Sequence, residues 1–317
     1  MTEPALILEN VDKSFGAFKA VNDLTFSVAR GEIFGFLGPN GAGKTTTLRM
    51  ILDIFAPTAG RILVLGSPSA IPVRHRIGYL PEERGLYRKM RAAETIAYFA
   101  SLRGLDQKTA NRKAHELLER FGLGEHARTK NEALSKGMAQ KVQLLATIAH
   151  DPELLILDEP FSGLDPINQA TLEALIAELR AQGKTIVFST HTMQHAERLC
   201  DRFLIIAKGS NRFLGTLGEA RRNFPPRLTI CTPDAIAPLE KFSGVKAIIL
   251  AEAQDEDGRV YSVELAPGAD PNDILRAAFD AGLRISRFEN TAASLHDIFV
   301  AVAGGDVADS TPAEAAA

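Results

Sequence analysis

Two short runs carry residues whose types and spacing can do chemistry. Gly38-Pro39-Asn40-Gly41-Ala42-Gly43-Lys44-Thr45 fits the pattern GxxxxGK[ST]. Glycines let a backbone wrap an anion with successive N–H groups pointing inward, and the helix that follows adds its positive end. Lys44 is expected to reach the β and γ phosphates of a nucleotide and Thr45 to bind Mg²⁺ through its hydroxyl, with Thr46 beside it in the first helical turn. Leu154-Leu155-Ile156-Leu157-Asp158-Glu159 ends an apolar run in two carboxylates. At a strand end beside a phosphate loop, Asp158 would hold Mg²⁺ directly or through water, and Glu159 would polarise an attacking water.

These residues need strands and helices to aim them. Glu32 to Leu37 reads as a strand feeding the glycine loop, and Lys44 to Phe55 as the helix that leaves it. Leu154 to Leu157 precedes a helix at Asn168 to Ala181, and Thr185 to Ser189 precedes one at Met193 to Cys200. Near-continuous apolar strands between helices predict a parallel sheet covered on both faces, an α/β class. From about residue 86 to 150 the pattern changes. Three helical stretches (Ala92 to Arg103, Lys108 to Phe121, Lys136 to Ala149) follow one another without a strand, which predicts a helical insertion. Pro225 and Pro226 in Asn223-Phe224-Pro225-Pro226-Arg227 place a domain boundary after residue 223. Residues 224–303 then read βαββαβα, an α+β ferredoxin-like domain, and the small, alanine-rich stretch 304–317 reads as a disordered tail.

Composition narrows the setting. The 317 residues suit about two domains, and 45% hydrophobic with 24% charged residues supplies an ordinary core. Lys and Arg total 36 against 39 Asp and Glu, a net charge of -3, so no general attraction to a phosphate backbone is expected and no nucleic acid partner is predicted. Cys200 and Cys231 contain no CxxC pair and suit reduced thiols. No signal peptide is read in Met1 to Val11, and no apolar stretch approaches the roughly 18 residues of a membrane span.

Ala133-Leu134-Ser135-Lys136-Gly137-Met138-Ala139-Gln140-Lys141 precedes the Asp-Glu strand by one helix, and this arrangement resembles the signature of ABC transporter ATPases. Leu134, Ser135 and Gly137 match the family's Leu-Ser-Gly-Gly-Gln, whereas Lys136 and Met138 depart. A serine N-cap with a glycine in the first turn still presents a helix N-terminus to a phosphate. By the same resemblance, Phe15 stacks on adenine, Ser162-Gly163-Leu164-Asp165 is the loop that crosses a dimer interface, and His191 is the switch that senses the γ-phosphate. Gly78-Tyr79-Leu80-Pro81-Glu82 stands in place of the family's glutamine loop with a carboxylate at Glu82, a further Mg²⁺ or water contact. Glu83 to Met90 and Ser294 to Phe299 resemble the branch whose ATPases serve multidrug or sodium exporters.

The resemblance implies a P-loop NTPase core of the ABC ATPase type, using ATP and Mg²⁺. One chain has one phosphate loop and one signature, so two copies head to tail would form two composite ATP sites. It also implies a separate transmembrane permease as partner and a peripheral place at the cytoplasmic face of the inner or plasma membrane. Three other readings compete. One is a soluble ABC ATPase acting on nucleic acid or ribosomes, and another a regulatory module that holds nucleotide without hydrolysing it. The third is a zinc pair at His191 and His195, four residues apart, although HExxH is absent. Thr129-Lys130-Asn131-Glu132 only faintly mimics a guanine-reading NKxD.

Overall fold

The computed structural model describes residues 3–83, 85–222, 224, 227–255, 258–266 and 268–303. The paired prolines and the tail expected over 304–317 lie outside the described residues. The chain divides into two compact units, the second running from Thr216 to Ala301.

The first unit opens with β1 (Leu6–Phe15) and β2 (Phe18–Val28), followed by β3 (Ile33–Leu37), α1 (Lys44–Ile51) and β4 (Ala59–Val64). β1 pairs antiparallel with β2 on one side and β4 on the other. The sequence reading did not foresee this three-stranded antiparallel sheet. Its strands mix polar with apolar residues, and only alternate positions such as Leu6 and Leu8, or Leu24, Phe26 and Val28, point into the core.

β5 (Ile77–Leu80) leads into the helical insertion, α2 (Ala92–Leu102), α3 (Gln107–Arg120) and α4 (Lys136–Ile148), with no strand between. The Asp106 carboxylate caps α3 by accepting from the Thr109 N–H at 3.0 Å. Asn131, buried ahead of α4, donates from its amide to the Tyr87 carbonyl (2.9 Å) and to Thr95 Oγ1 (2.7 Å), which ties α2 to the loop that launches α4. β6 (Leu154–Asp158), α5 (Pro166–Ala181), β7 (Thr185–Thr190), α6 (Met193–Leu199), β8 (Arg202–Ala207) and β9 (Ser210–Gly215) complete the unit. Its second sheet has the order β5-β6-β7-β3-β8-β9. All pairs are parallel except β8 with β9. This is the predicted α/β core.

β3, β6 and β7 are buried at every residue, as strands in the middle of a two-faced parallel sheet must be. One apolar core joins both sheets across α1, with Leu8, Phe34, Leu48 and Ile156 among its members. Phe26 stacks on Phe34 at 5.3 Å and on Phe36 at 5.9 Å. Each such side chain contributes roughly 1.5–3 kcal/mol by leaving water.

The second unit contains α7 (Leu217–Arg222), β10 (Arg227–Thr232), α8 (Ala237–Glu240), β11 (Val245–Asp255), β12 (Gly258–Leu265), α9 (Pro271–Asp280), β13 (Arg287–Thr291) and α10 (Leu295–Ala303). α7 precedes Asn223 yet groups with this unit, and the Arg221 Nε–H donates to the Ala293 carbonyl at 2.9 Å. The sheet order β11-β12-β10-β13 is antiparallel throughout, the split βαβ arrangement expected of a ferredoxin-like domain. One face packs Leu228, Ile230, Tyr261 and Val263 against Ile274 and Ala278. α8 is one turn, four residues long. Asp234, instead of capping a longer helix, accepts from the Arg284 backbone and guanidinium, and that pairing holds its carboxyl down at about 2.

Candidate functional site

β3 delivers the glycine loop. Directly after its last residue, a Cβ at Gly38 would lie 2.4 Å from the Ile206 carbonyl on β8, so only glycine lets the chain turn there. Gly43 caps α1 at φ +103, and a Cβ on it would stand 2.6 Å from the Ala20 carbonyl. No side chain caps the start of α1, which leaves its N–H groups to an anion held by the loop. Pro39 and Asn40 form the rim, Gly41 turns at φ +77, and Ala42 is buried. Lys44 is 6% exposed. Its Nζ curls back to donate to the carbonyls of Gly38 (2.6 Å) and Pro39 (3.3 Å). Thr45 and Thr46 are half-buried in the first turn.

β6 brings its carboxylates to the same place. Thr45 Oγ1 donates to Asp158 Oδ1 at 3.5 Å. Asp158 pairs in register with Ser189 on β7, whose hydroxyl donates to the same oxygen and accepts the Glu159 N–H at 3.0 Å. Glu159 is 7% exposed and has φ +46, a left-handed backbone that glutamate seldom adopts. The neighbouring strand holds it there, and this kind of held strain gathers at functional sites. Glu159 Oε2 lies 2.9 Å from His191 Nδ1, and Oε1 lies 3.4 Å from Lys44 Nζ, an ion pair without hydrogen-bond geometry.

Of the two buried carboxylates, Glu159 pairs with the buried Lys44, whereas Asp158 Oδ2 is buried with no hydrogen-bond partner. Charges out of water need compensation. The half-buried Thr45 hydroxyl and the free Asp158 oxygen form a hard-oxygen donor pair of the kind Mg²⁺ takes together with substrate phosphates and water. The residues therefore fit that ion. The Asp158 charge also reaches β5: burial first, and this carboxylate second, push the Tyr79 phenol up from its ordinary range.

Glu82, exposed on the loop after β5, lines an open cavity with Gln140, Asp158, Glu159 and Ser162. Ser135 is the exposed N-cap of α4, accepting from the Met138 N–H at 3.3 Å, and Gly137 follows in its first turn. Asp165 caps α5 through the Asn168 N–H at 2.9 Å, and that bond holds its carboxyl below the usual range. Phe15 sits at the end of the β1–β2 hairpin, 51% exposed, edge-on to Phe55 at 5.7 Å, with Lys13 Nζ 5.1 Å from its ring centre. Lys44, Thr45, Asp158, Glu159 and His191 are thus assembled within one subunit. Among the described residues, Phe15, Ser135, Gly137 and Asp165 make no hydrogen bond to that group.

The zinc alternative fails on geometry. His191 precedes α6 and turns to Glu159, whereas the His195 ring is buried and pairs its Nδ1 with Glu173 at 2.7 Å. Asn131, central to the NKxD-like stretch, is buried and occupied within the helical insertion. Three residues to which the sequence reading gave no role complete the site. Ser189 braces the Asp158 carboxylate and the Glu159 backbone N–H, Gln140 Nε2 donates to the Pro160 carbonyl at 2.9 Å, and Gln143 Nε2 donates to the Glu83 carbonyl at 3.2 Å. The signals available were a serine ending a buried strand two residues before a histidine, and two glutamines three positions apart on one helix.

Residues 21–162 match the ABC transporter family, and residues 215–303 match the C-terminal domain of DrrA1-3-like ATP-binding proteins. A full-length relative is the uncharacterized ABC transporter ATP-binding protein YhaQ of Bacillus subtilis (strain 168). It is 40% identical over 300 residues that cover 94% of this chain and 98% of that protein. The chain belongs to the ABC transporter ATP-binding proteins. Nod factor export ATP-binding protein I of Bradyrhizobium diazoefficiens is 41% identical over 66% of this chain and 69% of its own length. A solved ATP-binding subunit of an ABC transporter superposes with a TM-score of 0.65 at 35% identity, covering 69% of this chain and 93% of that one. This ABC subunit is accordingly an ATP-binding ATPase, and the predicted P-loop core holds.

Proposed function

We propose that the chain hydrolyses ATP as one half of a head-to-tail homodimer, at the cytoplasmic face of a membrane, and thereby drives a separate transmembrane permease in the export direction. The observation that carries the reading is the constellation of buried Lys44, Asp158 and Glu159 with exposed His191 at the ends of β3, β6 and β7. Lys44 exchanges the Gly38 and Pro39 carbonyls for β and γ phosphate oxygens. Asp158 Oδ2 and the Thr45 hydroxyl would hold Mg²⁺, which would neutralise charge on the phosphates. Glu159, its carboxylate steadied through Oε2 by His191, accepts the proton of the attacking water at Oε1. Glu82 reaches the same water or metal from the loop after β5, Phe15 stacks on the adenine, and Asp165 heads the loop that meets the second copy.

The dimer completes what one chain lacks. Ser135 and Gly137 stand at an exposed helix end and make no hydrogen bond to the same chain's Lys44, and there they suit the γ-phosphate held by a second copy. Gln140 and Gln143 give α4 a hold on both the Glu159 turn and the Glu82 loop, so closure on ATP and reopening after hydrolysis move the helical insertion. Among the described residues no helix is long and apolar enough to cross a membrane, which suits a path supplied by the permease. The name of the Nod factor relative supports export.

Two experiments test this. Tagged chain purified from gently solubilised native membranes should carry a stoichiometric polytopic protein identified by mass spectrometry; recovery with ribosomal or DNA-bound partners alone would overturn the permease reading. Glu159→Gln should keep ATP affinity while phosphate release falls roughly 10²-fold or more. Wild-type turnover in that variant would remove Glu159 from its role.

A further inference from the structure

The catalytic turn is clamped from a side that the roles assigned above do not use. Glu159, held at φ +46, is fixed on its N-terminal side by Ser189. Two residues later Phe161 is 4% exposed, edge-on to Phe188 of β7 at 5.9 Å. Its other face lies flat on the His195 imidazole, with ring centres 3.9 Å apart and 11° between the planes. His195 is 4% exposed, and its Nδ1 lies 2.7 Å from Glu173 Oε1 on α5. That carboxylate oxygen also accepts from Arg198 at 2.7 Å, and Arg198 lies 3.3 Å from the same ring nitrogen. The ring therefore has a set orientation before it meets Phe161.

We infer that His195 is a positioning residue for ATP hydrolysis: by fixing the Phe161 ring it holds the Glu159 turn at the spacing at which His191 and the attacking water meet the carboxylate. His195 lies four residues after His191, so one short stretch of chain grips the catalytic carboxylate twice. His191 grips it directly, and His195 grips it through Phe161. A face-to-face contact between flat rings fixes height and tilt together, and displacements of about 1 Å in such turns reach rates up to 10²-fold. Glu173 gives His195 its orientation, and α5, capped by Asp165, thereby shares the constraint. The inference rests on Glu159 being the catalytic carboxylate.

His195→Gln keeps a polar partner for Glu173 and removes the flat ring, whereas His195→Phe keeps the ring and gives up the Glu173 contact. His195→Gln should lower kcat about tenfold while KM for ATP stays within about twofold, and His195→Phe should recover most of the loss. A core residue without a positioning role would lower the melting temperature in both variants and leave kcat per folded molecule unchanged. Wild-type kcat in His195→Gln, or no recovery in His195→Phe, would overturn the inference. Phe161→Leu supplies a second route should His195→Gln fold poorly. Its kcat should fall similarly, and in the doubly substituted chain the two losses should not add, whereas additive losses would defeat the coupling. A wild-type rate in Glu159→Gln instead defeats the reading of Glu159, whatever the His195 variants do.

Discussion

At the scale of single residues the site works by sharing few charges among many oxygens. Lys44 serves two carbonyls and one carboxylate, and Ser189 serves both members of the Asp-Glu pair. Another buried histidine behaves differently. His150 is 8% exposed, its Nε2 lies 3.1 Å from the Ile77 carbonyl, and its Nδ1 has no partner. Burial lowers its pKa from 6.5 to about 4. The folded chain then binds fewer protons here than the unfolded chain, so stability is fully present above the unfolded value and is lost as pH falls toward the folded one. The loss is of the order of 2 kcal/mol by about pH 5. His150→Gln, which keeps a donor for Ile77, should flatten this dependence. Urea unfolding at about pH 7.5 and pH 5 checks it, and equal acid losses in the two proteins would rule it out.

At the scale of elements, two glycines at helix starts make opposite demands. Gly43 needs both its positive φ and the space beside Ala20, so Gly43→Ala should destabilise the fold by about 2 kcal/mol or more and abolish ATP binding. At Gly137 the nearest obstacle to a Cβ is the side-chain amide of Asn168 at 3.2 Å, and the position is helical. Gly137→Ala should therefore leave the melting temperature unchanged or raised, since alanine favours helix by roughly 0.5–1 kcal/mol. Thermal melts of the two variants test both statements, and similar losses would contradict them. Gly38 to Lys44 and Leu154 to Glu159 were legible in the sequence because loop, strand and helix lie next to one another along the chain. Ser189 was not, because its partner is Asp158, 31 positions away, and only the β6–β7 register joins them. The β1, β2 and β4 sheet escaped for a related reason. Its alternation is interrupted by register shifts at Leu8 to Val11 and beyond, so no clean period of two survives. The ring of His195 gave no sign either, since its meaning comes from Phe161 and Glu173 on other elements.

At the scale of the whole molecule, the proposed head-to-tail dimer predicts association that depends on nucleotide. Glu159→Gln should be monomeric without ATP and shift to twice the mass with ATP and Mg²⁺, as read by light scattering, while Lys44→Ala should not shift. A Glu159→Gln chain that stays monomeric at saturating ATP would count against the head-to-tail dimer. The same glutamate has a consequence of another kind. Its backbone sits where glycine rests easily and glutamate does not, and its carboxylate is buried beside another. The fold would relax if this position were given up, and on the proposed role of Glu159 hydrolysis would be lost with it. If Glu159 has the proposed role, selection for heat resistance alone would discard a side chain that the reaction needs, and the strained turn is where selection for work opposes selection for rest.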